Sequence, residues 1–204
     1  MSEVRASRRD MYAALTRTAI LDAAKELFVA RGFDATSVDD IARESQLSKG
    51  AVYHHFQDKQ QVFAEVYAAA EKAVFDVVAE AVIKPGLGPW EVAELAARTA
   101  LQAYAADEST RALLRQATSV LGQERARTLN SELALPMIRA LLEAVAGLGE
   151  LRPVDIETAA QMVFRMLAEA SMLITLADDP DSASQNVEFV ALSMLRGLRV
   201  DPSA

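Results

Sequence analysis

The chain of 204 residues contains no cysteine. The absence of thiols excludes disulfides, thiolate metal sites and cysteine nucleophiles. Histidine is also scarce, since only His54 and His55 occur. Two adjacent residues on a helix point in different directions, so this pair is not expected to chelate one metal ion. We therefore expect neither a bound metal nor a cofactor.

Signatures of catalysis are missing as well. The sequence has no glycine-rich phosphate loop, nucleophile elbow or paired-carboxylate motif. Asp178 and Asp179 stand beside a proline, and we interpret them as turn residues rather than ligands. No strand pattern, internal repeat or low-complexity tract is evident either. We expect an all-α protein that is not an enzyme.

The sequence gives little sign of export or membrane insertion. Its first ten residues, MSEVRASRRD, have no apolar segment of the kind that a signal peptide needs. Thr158 to Ala177 is apolar and long enough to span a membrane, but Gln161, Arg165 and Glu169 interrupt it at intervals of four. We interpret it as a helix of a buried bundle and expect a cytoplasmic protein without a membrane partner.

The negative charge is distributed unevenly. The formal net charge is −8, yet residues 1–60 hold nine Lys and Arg against nine Asp and Glu, whereas residues 61–204 hold 12 against 20. Phosphate contacts dominate affinity for nucleic acid, so an even spread of this charge would argue against DNA binding. The asymmetry instead favours two parts with different partners, although it is also compatible with a mere difference between solvated faces.

Residues 36–59, TSVDDIARESQLSKGAVYHHFQDK, have the pattern of two short helices and the start of a third. The hydroxyl of Thr36 or Ser37 can cap the first helix, and Ser48 can cap the second after a turn of about three residues. Val52 and Phe56 then face inward, which turns the intervening side chains toward solvent or a ligand. Such a pair is either a helix-turn-helix that enters the DNA major groove or an ordinary helical hairpin in a core.

The residues themselves favour the first alternative. The segment resembles the DNA-binding signature of the TetR family of bacterial transcriptional regulators, and the match continues upstream over residues 18–33. The matching positions are Thr36, Ser37, Val38, Ile41, Ala42, Leu47, Ser48, Lys49, Gly50, Tyr53, His55, Phe56 and Lys59. The resemblance implies a helix-turn-helix domain over residues 1–58 and a helical ligand-binding and dimerisation domain over residues 59–204.

A set of polar and small residues in this segment is expected to contact DNA. The resemblance assigns His55 and Tyr53 to phosphate or base edges, while His54 either joins them or is simply solvated. Arg5, Arg8 and Arg9 form a basic arm that either reaches a minor groove or is a solubilising terminus. The predicted contact residues are Thr36, Ser37, Ser48, Lys49, Gly50, Ala51, Tyr53, His54, His55 and Lys59.

Apolar periodicity predicts helices throughout the chain. The first is expected from Tyr12 or Thr16 to Arg31, and a long one from Asp58 to about Ile83 connects the two parts. The loop KPGLGP at residues 84–89 is the clearest break. Beyond it we predict helices over residues 90–106, 109–121, 123–146, 154–177 and 184–198, with Pro136 kinking or splitting the third of these.

The second part contains candidates for a ligand pocket and for a dimer interface. Aromatic residues either line a pocket or pack a core, and polar residues near them are candidates for a ligand's head group. The candidates are Phe75, Trp90, Tyr104, Arg111, Arg115, Gln116, Phe164, Arg165 and Glu169. The apolar stripes of the last two helices suit a four-helix interface between two copies, as the resemblance also implies.

These observations predict a homodimeric, sequence-specific transcriptional regulator. The resemblance implies a repressor that a small molecule releases from a palindromic operator. The alternatives are an architectural DNA-binding protein and a ligand-binding module without operator specificity. An architectural protein is expected to be more basic than this chain.

Overall fold

The computed structural model describes the backbone of residues 2–200 and the side chains of residues 10–200. Nine α-helices occupy the described chain. The first four are α1 (Ser2–Arg31), α2 (Val38–Glu44), α3 (Lys49–His55) and α4 (Lys59–Val82). The others are α5 (Pro89–Ala106), α6 (Glu108–Leu121), α7 (Gln123–Gly147), α8 (Ile156–Leu176) and α9 (Pro180–Arg196). An all-α architecture is confirmed, since β structure in the described residues is limited to one isolated bridge between Leu151 and Arg199.

The first helix is longer than its apolar stripe predicted. It begins at Ser2 rather than at Tyr12 or Thr16, so the backbone of Arg5, Arg8 and Arg9 is helical. The side chains of these arginines lie outside the described residues. The helix ends as predicted at Arg31, where Gly32 takes a φ of +81° that only glycine adopts without strain.

Two prolines are accommodated within helices. The last helix begins at Pro180 rather than Ser184, because Asp179 accepts a hydrogen bond from the backbone N–H of Ser182 and proline is favoured in the first turn. The DDPD segment therefore starts a helix instead of forming a loop. Pro136 does not split α7, which continues from Gln123 to Gly147.

One apolar cluster joins the first part of the chain to the second. Phe28 of α1 packs edge-on against Phe63 of α4, with ring centroids 5.3 Å apart. The same cluster continues through Tyr104 of α5 and Leu113 of α6. The predicted domain boundary at residues 58 and 59 therefore runs through one continuous core. Where the DNA-binding unit ends remains a prediction.

A second apolar cluster holds the remaining helices together. It contains Trp90, Leu142, Phe164 and Leu195 from α5, α7, α8 and α9. On the opposite side of α8 and α9, large apolar side chains are exposed. They are Met162, Leu173, Leu176, Phe189, Val190 and Met194. By length and composition, α8 is the one described helix that could cross a membrane, and 44% of its apolar window is buried in the protomer.

Phe28 tests how strongly the shared cluster stabilises the fold. Replacing this fully buried side chain in Phe28→Ala should lower the free energy of unfolding by about 3–5 kcal/mol, because it removes apolar contacts and leaves a cavity. Urea denaturation followed by circular dichroism measures the change. Tyr53→Ala, at a side chain 49% exposed, is the control and should change it by less than about 0.5 kcal/mol. Equal effects would contradict the packing described above.

Candidate DNA-binding surface and ligand cavity

A tight turn sets α3 against α2. Ser45 donates its hydroxyl to the carbonyl of Ile41 at 2.7 Å, and the N–H of Leu47 bonds to the carbonyl of Ala42 at 2.8 Å. Between them Gln46 takes a positive φ of 57°. Leu47 packs against the apolar cluster that joins the two parts of the chain. This is the short helix-turn-helix connection that the sequence predicted.

The buried side of α3 fixes which residues it exposes. Val52 and Phe56 are buried, and Ser48 caps the helix by accepting a hydrogen bond from the N–H of Ala51 at 3.1 Å. Ser48, Lys49, Gly50, Tyr53 and His54 lie on the exposed side, with Ala51 half-buried beside them. A Cβ on Gly50 would meet only Ser48 Oγ, at 3.8 Å, so this glycine is not required for packing on the preceding helix.

Lys49 connects the two helices on their exposed side. Its ammonium group lies 2.9 Å from a carboxylate oxygen of Asp39, and both side chains are more than half exposed. The hydrogen bond that Lys49 donates to the Asp39 carboxylate raises the pKa of Lys49. An exposed pair of this kind contributes little to stability, so the ammonium group is available to a phosphate or a base edge.

Two of the predicted contact residues have internal roles. Thr36 is buried and donates its hydroxyl to the carbonyl of Gly32 at 2.8 Å. Lys59 donates its ammonium group to the carbonyls of Phe33 and Thr36, both at 2.7 Å, and lies 4.0 Å from the centroid of the Phe33 ring. The sequence assigned both residues to DNA, whereas the structure uses both side chains to hold the loop between α1 and α2.

Ser37 caps α2 in a reciprocal arrangement. Its hydroxyl accepts from the N–H of Asp40 at 3.1 Å, and the Asp40 carboxylate accepts from the N–H of Ser37 at 3.0 Å. The Ser37 hydroxyl also donates to the Asp40 carboxylate at 2.5 Å, and this hydrogen bond together with that from the Ser37 N–H lowers the pKa of Asp40 to about 2. This is a capping box with Asp40 as its acidic member, and of the two caps predicted from sequence it is Ser37 that is used. Ser37 itself remains exposed.

Arg17 supports the end of α3 and was not identified from the sequence. Its guanidinium group bonds to the carbonyl of His55 at 3.3 Å and to the Glu65 carboxylate, and it lies 4.5 Å from the centroid of the Phe56 ring. His55 is half-buried there, and burial lowers its pKa. In the sequence, the position of Arg17 one turn before Ile20, at the edge of the apolar stripe of α1, could have indicated this supporting role.

An apolar cavity lies between α4, α5, α7 and α8, with a free volume of about 80 Å³. Three of the nine predicted ligand residues line it, namely Phe75, Tyr104 and Phe164. Asn130 and Ser171 are further polar residues of its lining, together with the Tyr104 hydroxyl.

The other six predicted ligand residues lie elsewhere. Trp90 is buried in the second cluster with its indole N–H bonded to Glu94 at 2.8 Å. Arg111 of α6 donates a hydrogen bond to the carbonyl of Tyr104 near the end of α5, at 2.9 Å. Arg115 bonds to Glu108 and to the carbonyl of Thr175, and Gln116 lies at the base of α1. Arg165 and Glu169 are exposed on α8.

Gln116 connects α6 to the helix-turn-helix unit. Its side-chain oxygen accepts from the N–H of Phe33 at 2.7 Å, and its amide nitrogen donates to the carbonyls of Phe28 and Ala112 at 3.1 and 2.7 Å. Gln60 makes a second connection, from the start of α4 to the carbonyl of Val120 at the end of α6. Gln116 therefore links α6 directly to the loop that follows α1.

The buried carboxylate of Glu71 lies close to the cavity, and the sequence analysis did not identify it. Glu71 has no exposed surface and accepts a hydrogen bond from the Tyr104 hydroxyl at 2.7 Å. Burial raises its pKa to about 7, and the nearby hydroxyls of Tyr104 and Tyr67 only partly offset this effect. In the sequence, its place in the apolar stripe of α4, three residues before Val74, could have indicated that Glu71 is buried. In residues 10–200 no group of three potential ligands is arranged to hold a metal ion.

The fold and the exposed α3 define a helix-turn-helix transcriptional regulator. Residues 20–66 match the family model described as "Bacterial regulatory proteins, tetR family". Residues 90–198 match the model described as "Tetracyclin repressor-like, C-terminal domain". The chain belongs to the TetR family of bacterial regulatory proteins.

Individual relatives agree with this assignment. The chain is 29% identical to the HTH-type transcriptional repressor BepR of Brucella suis biovar 1 over 164 residues, which cover 76% of this chain and 78% of that protein. It is 30% identical to the HTH-type transcriptional repressor KstR2 of Rhodococcus jostii over 159 residues, or 76% of each protein. A crystal structure of a TetR-family regulator from Pectobacterium atrosepticum superposes with a TM-score of 0.75 at 26% identity, covering 94% of this chain and 98% of that one.

Gln116→Leu tests the connection between α6 and the DNA-binding unit. Leucine cannot pair with the N–H of Phe33, so the free energy of unfolding should fall by about 1–3 kcal/mol and the Phe33 amide should exchange its hydrogen faster. Gln102→Leu, at an exposed residue of α5, is the control and should change stability by less than about 0.5 kcal/mol. Unchanged exchange at Phe33 would show that Gln116 does not hold this loop.

Proposed function

We propose that this regulator is a homodimeric repressor that binds a palindromic operator and is released by a small molecule. The observation that carries the proposal is the exposed face of α3, where Lys49, Tyr53 and His54 stand on a helix anchored by Val52 and Phe56. Lysine, tyrosine and histidine side chains bind phosphates and base edges. The nearly neutral first part of the chain favours specific recognition over the bulk attraction of an architectural protein.

The exposed apolar faces of α8 and α9 support dimerisation through the last two helices. Phe189 is 72% exposed, and Met194 and Leu176 are more than half exposed. Contiguous apolar surface of this kind marks an interaction site. A two-fold axis between the two pairs of helices places two recognition helices on one side of the dimer, to read half-sites about one helical turn or more apart.

The proposed release mechanism depends on α4. Its first turns, with Val62 and Phe63, pack in the shared core beneath the helix-turn-helix, and its later residues Val74 and Val78 line the cavity. A ligand that prefers a tilted α4 changes the spacing of the recognition helices and lowers affinity for DNA. Only a difference in ligand affinity between the two forms can produce this shift. We place the protein in the cytoplasm and assign it no catalytic activity.

Lys49→Ala tests the proposed DNA surface. Fluorescence anisotropy with the DNA immediately upstream of the protein's own gene, with and without non-specific competitor, should show specific binding by the wild type. The substitution should weaken this binding by about 1–3 kcal/mol if Lys49 reads a base edge, or reduce the salt dependence by about one charge if it contacts a phosphate. Lys72→Ala removes the same charge from an exposed position on α4 and serves as the control.

Two results would count against the proposal. Loss of binding to the competitor would indicate an architectural protein rather than a regulator of that site. Equal affinities of wild type, Lys49→Ala and Tyr53→Ala would place the DNA contact on a different surface.

Phe189→Asp tests the dimer interface. A charge at the centre of the exposed apolar face should cost several kcal/mol on association, so the variant should sediment as a monomer at concentrations where the wild type is a dimer. Leu148→Asp introduces the same charge at another exposed leucine, after α7, and should leave the dimer intact. A dimeric Phe189→Asp variant would locate the interface elsewhere.

A further inference from the structure

Glu71 is a buried acid with an unused hydrogen-bonding position. Its side chain has no exposed surface, and only one of its carboxylate oxygens, Oε2, accepts the hydroxyl of Tyr104. The other oxygen, Oε1, has no hydrogen-bond partner among the described residues. Buried polar atoms are almost always paired, and an unpaired buried acceptor costs about 1–3 kcal/mol. Such an atom calls for a partner that the described side chains do not supply, such as a water molecule, an ion or a ligand.

The cavity begins one turn beyond Glu71, with Val74 as the first residue of α4 in its lining. Glu71 lies on the same helical face as Val74 and Val78, which line the cavity, and its partner Tyr104 lines it too. Asn130 brings an amide from α7 to the same place, since it also neighbours Tyr104. The rest of the lining is almost entirely aliphatic and aromatic. The site therefore has one polar end and one apolar body.

Within residues 10–200, no cationic side chain shifts the pKa of Glu71. The groups that face it are the hydroxyls of Tyr67 from α4 and Tyr104 from α5, with the Asn130 amide from α7 close to both hydroxyls. Among the described residues of α1 and α6, none contributes a charge that shifts its titration. Burial raises the pKa of both tyrosines, so neither titrates near neutral pH. Of the described side chains, the carboxylate of Glu71 is thus the one that titrates near neutral pH at this end of the cavity.

We propose that Glu71 is the anchor for a cationic ligand, a protonated amine on a compact apolar body, whose N–H bonds to Oε1 while the body fills the cavity. The assignment rests on the proposed function, since it names the ligand class that this regulator senses. A buried charge is tolerated when it is paired, and here a ligand is the partner that the fold leaves out. An anionic ligand would place a second negative charge against Glu71, which disfavours that class.

Three probes with one common body test the assignment: benzylamine, benzyl alcohol and toluene. Isothermal titration of each into the full-length protein should show benzylamine binding at least about ten-fold more tightly than benzyl alcohol, which corresponds to one paired buried charge. The substitution Glu71→Gln keeps the shape and removes the charge. It should abolish the preference for benzylamine and leave the affinity for toluene unchanged.

The control is Glu80→Gln, which makes the same change at an exposed position of the same helix. It should retain the preference for the amine. A second measurement on the wild type alone does not depend on the folding of any variant. Because only the ionised carboxylate binds the cation, affinity for benzylamine should rise about ten-fold from about pH 6 to about pH 8, while affinity for toluene stays constant.

Absence of benzylamine binding, equal binding of benzylamine and benzyl alcohol, or a preference that survives Glu71→Gln would overturn the assignment. These results are distinguishable from failure of the proposed function, which is measured by binding to operator DNA without any probe. A protein that binds its operator but shows no preference for the amine remains a regulator with a different ligand. A protein that prefers the amine but binds no DNA keeps the anchor and loses the proposed function.

Discussion

Burial of one face of α4 is the constraint on which the rest of the structure depends. Val62, Phe63 and Val66 of this helix complete the core beneath the helix-turn-helix, and Val74 and Val78 form one wall of the cavity. A rigid helix of 24 residues spans about 36 Å, so a tilt at one end displaces the other. Because each end is packed against different helices, neither half can rearrange without changing the contacts of the other.

The DNA-reading helix has little stability of its own. A helix of seven residues is too short to persist in isolation, so α3 exists because Val52 and Phe56 are buried beneath it and Ser48 caps it. Two basic residues serve this support: Lys59, which the sequence assigned to DNA, holds the loop before α2, and Arg17 lies against Phe56. The side chains of Lys49, Tyr53 and His54 remain exposed on this supported helix.

The region around the cavity is less stable than a fully packed core would be. A core helix with an acid at a fully buried position is less stable than one with an apolar residue of similar size, because burial penalises the charged form. The cavity next to it also forgoes packing contacts that a filled core would have. Both features lower stability in the same place, which is the pattern expected where a ligand rather than the protein completes the core.

The sequence by itself determined most helices and their signals: the cap at Ser48, the end of α1 at Arg31, the start of α4 near Asp58, and the apolar stripes that define an all-α chain. These depend on neighbours within four residues, which a sequence displays directly. Only the tertiary structure decided which polar side chains form hydrogen bonds within the protein instead of facing solvent or a ligand. Lys59 and Gln116 are examples, because they bond to residues that lie 23 and 88 positions away in the sequence. The same distance in sequence hid which aromatic residues line the cavity, since packing among four helices sets which faces leave a gap.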